Sequence, residues 1–277
     1  MKIILAKHAG FCMGVRRAVE TTLRLVESRQ GSIATLGPLI HNPQILAMLE
    51  QKGVEVVTDV ALVNTKTVVI RAHGVPPEQK RRLIASGAAI EDATCPRVVK
   101  VQAIIDKYQR IGYAVVIFGD RDHAEVEGLM GHAGVAGVVV NALRDLDDLQ
   151  LTTPYIVVSQ TTQDEGLFEE ITREILRRYP EGKVFNTICD STHKRQNEVR
   201  NMCREVDALV VVGGRNSANT KRLAEIAHSL ACPVFLVETE NELAVEKLKS
   251  YQKVGVTAGA STPTRVIEQV VVALEAI

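Results

Sequence analysis

From one end of the chain to the other, short apolar runs rich in Val and Ile alternate with longer segments of helical pattern, and this alternation restricts the fold more than any other feature. Runs of that kind offer no polar face to water. They suit strands of a parallel sheet that is covered by helices on both sides. Candidate strands lie at 2–6, 54–57, 67–71, 113–118, 137–140, 154–159, 207–212, 233–237 and 254–258. Candidate helices lie at 15–29, 43–52, 77–86, 96–110, 164–178, 194–205, 219–230 and 263–276. Asn42-Pro43, Cys95-Pro96 and Thr262-Pro263 each read as an N-cap followed by Pro at the first helical position. The expected fold class is α/β.

Composition removes several functions. Aromatic residues make up 4% and Trp is absent, which leaves little surface on which single-stranded nucleic acid could stack. Lys plus Arg equals Asp plus Glu at 33 each, so the whole chain carries no field that would draw in nucleic acid. No apolar run is long enough to span a bilayer. The start, MKIILAKHAGFC, is broken by Lys7 and His8 and lacks the apolar core and cleavage site of a signal peptide. It reads as a first strand. The expectation is a cytoplasmic chain with neither membrane nor nucleic acid as partner, in which all five cysteines are reduced.

Three of those cysteines are spaced like an internal repeat. Cys12 and Cys95 are 83 residues apart, Cys95 and Cys189 are 94 apart, and 88 residues follow Cys189. Each closes a short loop and precedes a helical segment, in GFC-MGVRRAVE, ATC-PRVVKVQA and TIC-DSTHKRQN. Three similar α/β units, at 1–95, 96–189 and 190–277, would account for this. The positive end of a helix favours the thiolate, the form that binds metal. Cys203 and Cys232 stand in helix and pre-strand contexts and read as small buried hydrophobes. No CxxC occurs, which disfavours a zinc ribbon. The cysteines alone leave three readings open: structural residues, zinc with a water, or a 4Fe-4S cluster with one open iron.

The loops after the apolar runs carry the remaining chemistry. His41 in LGPLIHNP, His73 in VIRAHGV and His123 in VIFGDRDHAEVEG stand where an open α/β sheet gathers its ligands. His8, His132, His193 and His228 lack that context and read as structural. Ser159-Gln160-Thr161-Thr162, Ser217 with Asn219 and Thr220, and Ser261-Thr262 add hydroxyls and amides, the last two groups just before helices, where they can cap the helix or hold an anion. GGRNSAN is neither a Walker A loop nor GxGxxG. Among such neutral groups a carboxyl can serve as proton donor. Glu125 stands out, with Asp120, Asp122 and Glu127 as competitors and capping of a helix near Ala124 as its other possible role. Charged stretches such as EQKRRL and KRQNEVR read as solvated helix faces.

Taken together, AGFCMGV, GPLIHNP, RAHGV, DATCP, GDRDHAEVEG, SQTT, TIC followed by RQ, GGRNSANT and AGASTP closely resemble the IspH/LytB family of 4-hydroxy-3-methylbut-2-enyl diphosphate reductases. The nine pieces run in family order from residue 9 to residue 263. The resemblance implies a trefoil of three pseudo-repeated α/β units around a central 4Fe-4S cluster. Its ligands would be Cys12, Cys95 and Cys189, and the fourth iron would be left open to substrate. It implies that His41, His73, His123, Ser217, Asn219 and Ser261 surround the substrate's diphosphate. Glu125 would be the proton source, with Thr161 beside it and His123 in the catalytic group. The reaction would be a two-electron reductive removal of an allylic hydroxyl, the last step of the methylerythritol phosphate pathway of isoprenoid biosynthesis. Ferredoxin or flavodoxin would supply the electrons. Two departures from the family pattern stand out: Ala218 where a second Ser is common, and Asp190-Ser191-Thr192 after the third cysteine. A non-enzymatic iron–sulfur or zinc protein, a reductase of another allylic diphosphate and a zinc hydrolase are the alternative functions.

Overall fold

The protein is described by a computed structural model that covers residues 1–28, 31–151 and 154–277. In chain order the first elements are β1 (Lys2–Leu5), α1 (Met13–Glu27), β2 (Ile33–Leu36), α2 (Pro43–Gln51), β3 (Val54–Val57), β4 (Thr67–Ile70), α3 (Pro77–Ala85) and β5 (Ala89–Asp92). Next come α4 (Pro96–Gln109), β6 (Ala114–Phe118), α5 (Ala124–Ala133), β7 (Gly137–Val140), β8 (Tyr155–Ser159), α6 (Glu165–Arg178) and β9 (Lys183–Val184). The last are α7 (Asp190–Met202), β10 (Ala208–Val212), α8 (Ala218–Ser229), β11 (Val234–Val237), α9 (Val245–Leu248), β12 (Lys253–Ala258) and α10 (Thr264–Glu275). Arg29, at the expected end of the first helix, lies outside the described residues.

The strands form three four-stranded parallel sheets, which bears out the α/β class. Their orders are β3-β2-β4-β5, β7-β6-β8-β9 and β1-β12-β10-β11. Numbered along the chain, the first two sheets share the order second, first, third, fourth. The third sheet has the same order if β1 is counted as its fourth strand. Ile3 and Ile4 of β1 pair with Val254 and Gly255 of β12. The chain's first strand therefore completes its last sheet, although the expected division at 1–95 groups it with the β2–β5 segment.

The chain forms two compact units, Met1–Arg16 with Ile40–Ala47 and Asp190–Ile277, and Arg17–Leu39 with Met48–Cys189. In the first, the two-residue period of β10 sends Val210 and Val212 to one face, where they meet Val266, Ile267 and Val270 of α10. Leu209 and Val211 point the other way, against Val199 of α7 and Leu223 and Ala227 of α8. In the second unit, Val115 and Ile117 of β6 pack with Val101 and Ile105 of α4 and Val126 and Leu129 of α5. Val116 and Phe118 face Phe168, Ile171 and Ile175 of α6. Ala34, Leu36, Val68 and Ile70 form a further core with Leu83 of α3.

Three strands fall outside the expected set. β5 and β9 are edges, and β5 ends in Glu91-Asp92 while β9 has two residues, so neither makes an apolar run. β2 is central and buried throughout, but Ala34 and Thr35 dilute its four residues. Helix α5 is likewise absent from the candidate ranges, because Gly128 and Gly131 weaken its pattern, although the capping role open to Glu125 places a helix start near Ala124. Packing explains Gly131, where a Cβ would lie 2.6 Å from Cβ of Pro76, whereas one on Gly128 would make ordinary contact with the backbone of His73 and Val75. Helices α1 and α7 begin two and four residues earlier than expected, at Met13 and Asp190. Of the three expected caps, Asn42 accepts from Ile45 N–H at 3.0 Å. Thr262 instead donates to Val212 O, and Cys95 occupies its N-cap without a side-chain capping bond to the helix. No helix among the described residues is long and apolar enough to cross a membrane.

Candidate functional site

The shared strand order places the chemistry. Groups at the carboxyl ends of parallel strands are where open α/β sheets hold ligands. His41, His123 and Ser217 stand five residues beyond the ends of β2, β6 and β10. His73 and Ser261 stand three beyond β4 and β12, and Thr161 two beyond β8. Cys12, Cys95 and Cys189 follow the fourth-position strands β1, β5 and β9. Each of the three sheets thus contributes the same three loops.

The three cysteines share one backbone support. Each immediately precedes the first residue of a helix, Met13, Pro96 or Asp190. Cys12 N–H donates to Ala260 O at 3.1 Å, Cys95 N–H to Ala72 O at 2.9 Å and Cys189 N–H to Thr161 O at 3.0 Å. Every acceptor is the second residue past a third-position strand, β12, β4 or β8. Chance placement of buried thiols has no reason to repeat that bond three times. All three side chains are half-buried, and Val15 N–H approaches Cys12 Sγ at 3.5 Å. Cys203 and Cys232 differ: burial, with the neighbouring Cys232 thiol, pushes the Cys203 thiol up to about 12, and burial raises that of Cys232. Both pack into the core beside Val199 and Leu209.

Glu125 is the buried acid. Only 2% of it is exposed. Thr161 N–H donates to Glu125 Oε1 at 2.6 Å, and Thr161 Oγ1 to Oε2 at 2.8 Å. Burial raises the carboxyl from 4.5 to about 7; the two Thr161 bonds pull it down, and the Asp120 carboxylate adds to the rise. The competitors separate from it by environment. Asp122 is exposed, and Glu127 is half-exposed and paired with Arg71 at 3.1 Å. Thr161 bonds the acid through its N–H and hydroxyl, and its carbonyl accepts from Cys189. His123 caps α5, its Nδ1 accepting from Glu125 N–H at 3.1 Å, which leaves the ring proton of the neutral form on Nε2. The His73 and His123 rings meet edge to face, with centroids 5.2 Å apart.

In the other unit, Ser261 Oγ donates to His41 O at 3.1 Å and lies 3.4 Å from Ser217 Oγ, which accepts from Thr220 N–H as the N-cap of α8. Asn219 is 4% exposed, and its Nδ2 finds no hydrogen-bond partner among the described residues. A buried donor in that state suits an anion. The loops fit tightly: a Cβ on Gly214 would stand 2.6 Å from His41 O, and one on Gly259 2.0 Å from Thr220 Oγ1.

The burial of some motif residues is not legible in the sequence. The KRQNEVR stretch is not a solvated face throughout, since Arg195 and Gln196 are buried. Gln160 is fully buried and its Oε1 accepts from Asp120 N–H at 2.8 Å, shaping the loop before His123. Both residue types look like surface residues in a sequence, and only their place in the motifs singled them out.

A family described as LytB protein matches residues 3–275. A protein of Oleidesulfovibrio alaskensis, named 4-hydroxy-3-methylbut-2-enyl diphosphate reductase, is 42% identical over 281 residues and covers 100% of both chains. Proteins of the same name from Geobacter sulfurreducens and Aquifex aeolicus are 42% and 41% identical, covering 98% and 97% of this chain and 96% and 94% of their own. The solved E-1-hydroxy-2-methyl-but-2-enyl-4-diphosphate reductase of Plasmodium falciparum superposes with a TM-score of 0.94 at 27% identity, over 98% of this chain and 86% of that one. A second solved reductase, described as the terminal enzyme of the non-mevalonate pathway, gives 0.71 at 40% identity with full coverage of both chains.

Proposed function

The chain belongs to the LytB protein family, and from that premise we propose that it reduces 4-hydroxy-3-methylbut-2-enyl diphosphate to isopentenyl and dimethylallyl diphosphate. The allylic C–O bond breaks, two electrons and two protons are taken up, and the hydroxyl leaves as water. The observation that carries the reading is the connected chain from Glu125 through Thr161 to Cys189. It ties the buried acid to the backbone of a half-buried cysteine.

Cys12, Cys95 and Cys189 would hold one 4Fe-4S cluster with one open iron, which would act as a Lewis acid on the substrate and pass on electrons from the donor protein. Sulfur donors suit iron, and the repeated cysteine support is what three equivalent ligands require. Each cysteine also marks a division of the chain into three repeats, with the first strand rejoining the third.

The other residues divide the work. A carboxyl near 7 still holds its proton on part of the molecules at neutral pH. In the acid form Glu125 Oε2–H donates to Thr161 Oγ1, which turns its own proton onward to the departing hydroxyl. Burial of the pair excludes water, which would otherwise take the proton. His41, His73 and His123 turn their imidazoles to the diphosphate, and Asn219 Nδ2 and the hydroxyls of Ser217 and Ser261 donate to its oxygens, Ser261 turning its proton from His41 O. These groups fix the substrate through the part that does not react. The electrons come from a ferredoxin or flavodoxin, in the cytoplasm. Anaerobic incubation of cluster-loaded protein with reduced methyl viologen and the diphosphate tests the reading. Both isoprenyl diphosphates should appear by mass spectrometry, and an unconsumed substrate would sink it.

A further inference from the structure

Two arginines without a role so far grip the loops of two of these cysteines. Arg17, in α1, donates from Nη1 to Thr94 O at 3.0 Å and from Nη2 to Asp92 O at 3.2 Å. The first acceptor belongs to the peptide that carries Cys95 N–H, and that N–H is bonded to Ala72 O. The Thr94–Cys95 peptide is therefore held on both sides. The Asp92 carboxylate tightens the same loop by accepting from Thr94 N–H at 3.0 Å. Arg195, in α7, is 4% exposed. Its Nη2 donates to Gly10 O, two residues before Cys12, and its Nη1 to Ser191 O at 2.9 Å. Gly10 has φ +94°, and a Cβ there would stand 3.1 Å from Ile267 Cδ1, so this loop is fixed by packing as well.

The two grips follow one pattern. Arg17 stands five residues after Cys12 and holds the loop of Cys95, while Arg195 stands six after Cys189 and holds the loop of Cys12. A helix that opens on one cysteine thus carries the grip on another. Neutral donors could satisfy those carbonyls. A guanidinium offers a rigid fork of donors and a charge that is never lost. Burying such a charge, as at Arg195, is costly, and an anionic centre held by the loop it grips would offset that cost.

We propose that Arg17 and Arg195 are positioning residues for the cluster ligands Cys95 and Cys12. They fix the cysteine backbone and set a permanent positive charge beside the thiolates. That charge favours the reduced, more negative cluster and holds its reduction potential up. The inference rests on the iron–sulfur reading above.

The test compares Arg17→Gln, Arg195→Gln and the corresponding Lys variants with the parent, all loaded anaerobically and checked for folding by circular dichroism. The Gln variants should lose iron to a chelator at least about tenfold faster and show a more negative midpoint potential in a redox titration. The Lys variants, with charge but no fork, should lose iron faster at a potential close to the parent's. If a Gln variant fails to fold, that Lys signature alone decides the matter. In cluster-free protein, Cys95 should be alkylated faster in Arg17→Lys and Cys12 in Arg195→Lys, which keep the charge and lose the fork. Potentials unchanged in folded Gln variants would overturn the proposal, even with faster iron loss. A parent that takes up no cluster would overturn the proposed function instead, while the alkylation rates would still report on the grips.

Discussion

Replacing Glu125 by Gln separates the cost of the buried acid from its use. The carboxyl is raised from 4.5 to about 7 because burial disfavours its charge more than the two Thr161 bonds favour it. The folded chain thus binds this proton more tightly than the unfolded chain. Its contribution to stability is complete below the unfolded value of 4.5 and is lost as pH rises through about 7. At about 1.4 kcal/mol per unit, the loss approaches roughly 3 kcal/mol at alkaline pH. Gln keeps the shape and still accepts from Thr161 N–H, but has no proton to lose. Urea unfolding of the two cluster-loaded proteins, followed anaerobically, should give similar stabilities near pH 5. By about pH 9 the Gln variant should be the more stable, by up to roughly 3 kcal/mol. Its turnover should fall by about two orders of magnitude or more, and parent turnover should decline above about pH 7. A stability gap that stays constant across this range, or one of opposite sign, would refute the argument from burial.

Other substitutions reach other parts of the site. Asn219→Ala removes a buried donor that has no other partner among the described residues, so the dissociation constant for substrate should rise by roughly tenfold or more in calorimetry. Thr161→Val removes the hydroxyl bond that lowers the Glu125 carboxyl. The alkaline limb of the rate profile should move to higher pH while the maximal rate falls. Gly259→Ala brings a Cβ against Thr220 Oγ1 and should cost about 1–3 kcal/mol in chemical denaturation. Unchanged stability there would show that the loop has room to shift.

The parts of the fold that were legible in the sequence are those that one physical signal specifies. Central strands such as β8 and β10 are continuous apolar runs because both faces are covered. Edge strands β5 and β9 have no such requirement, and their pairing is decided by neighbours distant in sequence. The same holds for β1, which reads as a strand but whose partner β12 lies at the far end of the chain. Helix α5 showed only at its start near Ala124, its span being obscured by Gly128 and Gly131, the second of which its packing demands. At the site, Glu125 could not be ranked above Asp120, Asp122 or Glu127 by sequence pattern, because burial separates them and burial is tertiary. The cysteines were visible from their spacing, but the bond each makes to the neighbouring loop was not. Arg195 was misread for the same reason: its buried surroundings come from Gly10, 185 residues away.

The proposed function requires three cysteines from three repeats to serve one cluster. Iron and acid-labile sulfide, measured per chain on anaerobically purified protein and on five single Cys→Ser variants, test this most directly. The parent should hold about four of each. Cys12→Ser, Cys95→Ser and Cys189→Ser should lose most of both, whereas Cys203→Ser and Cys232→Ser should match the parent. Full loading in any of the first three, or loss confined to the last two, would contradict the account.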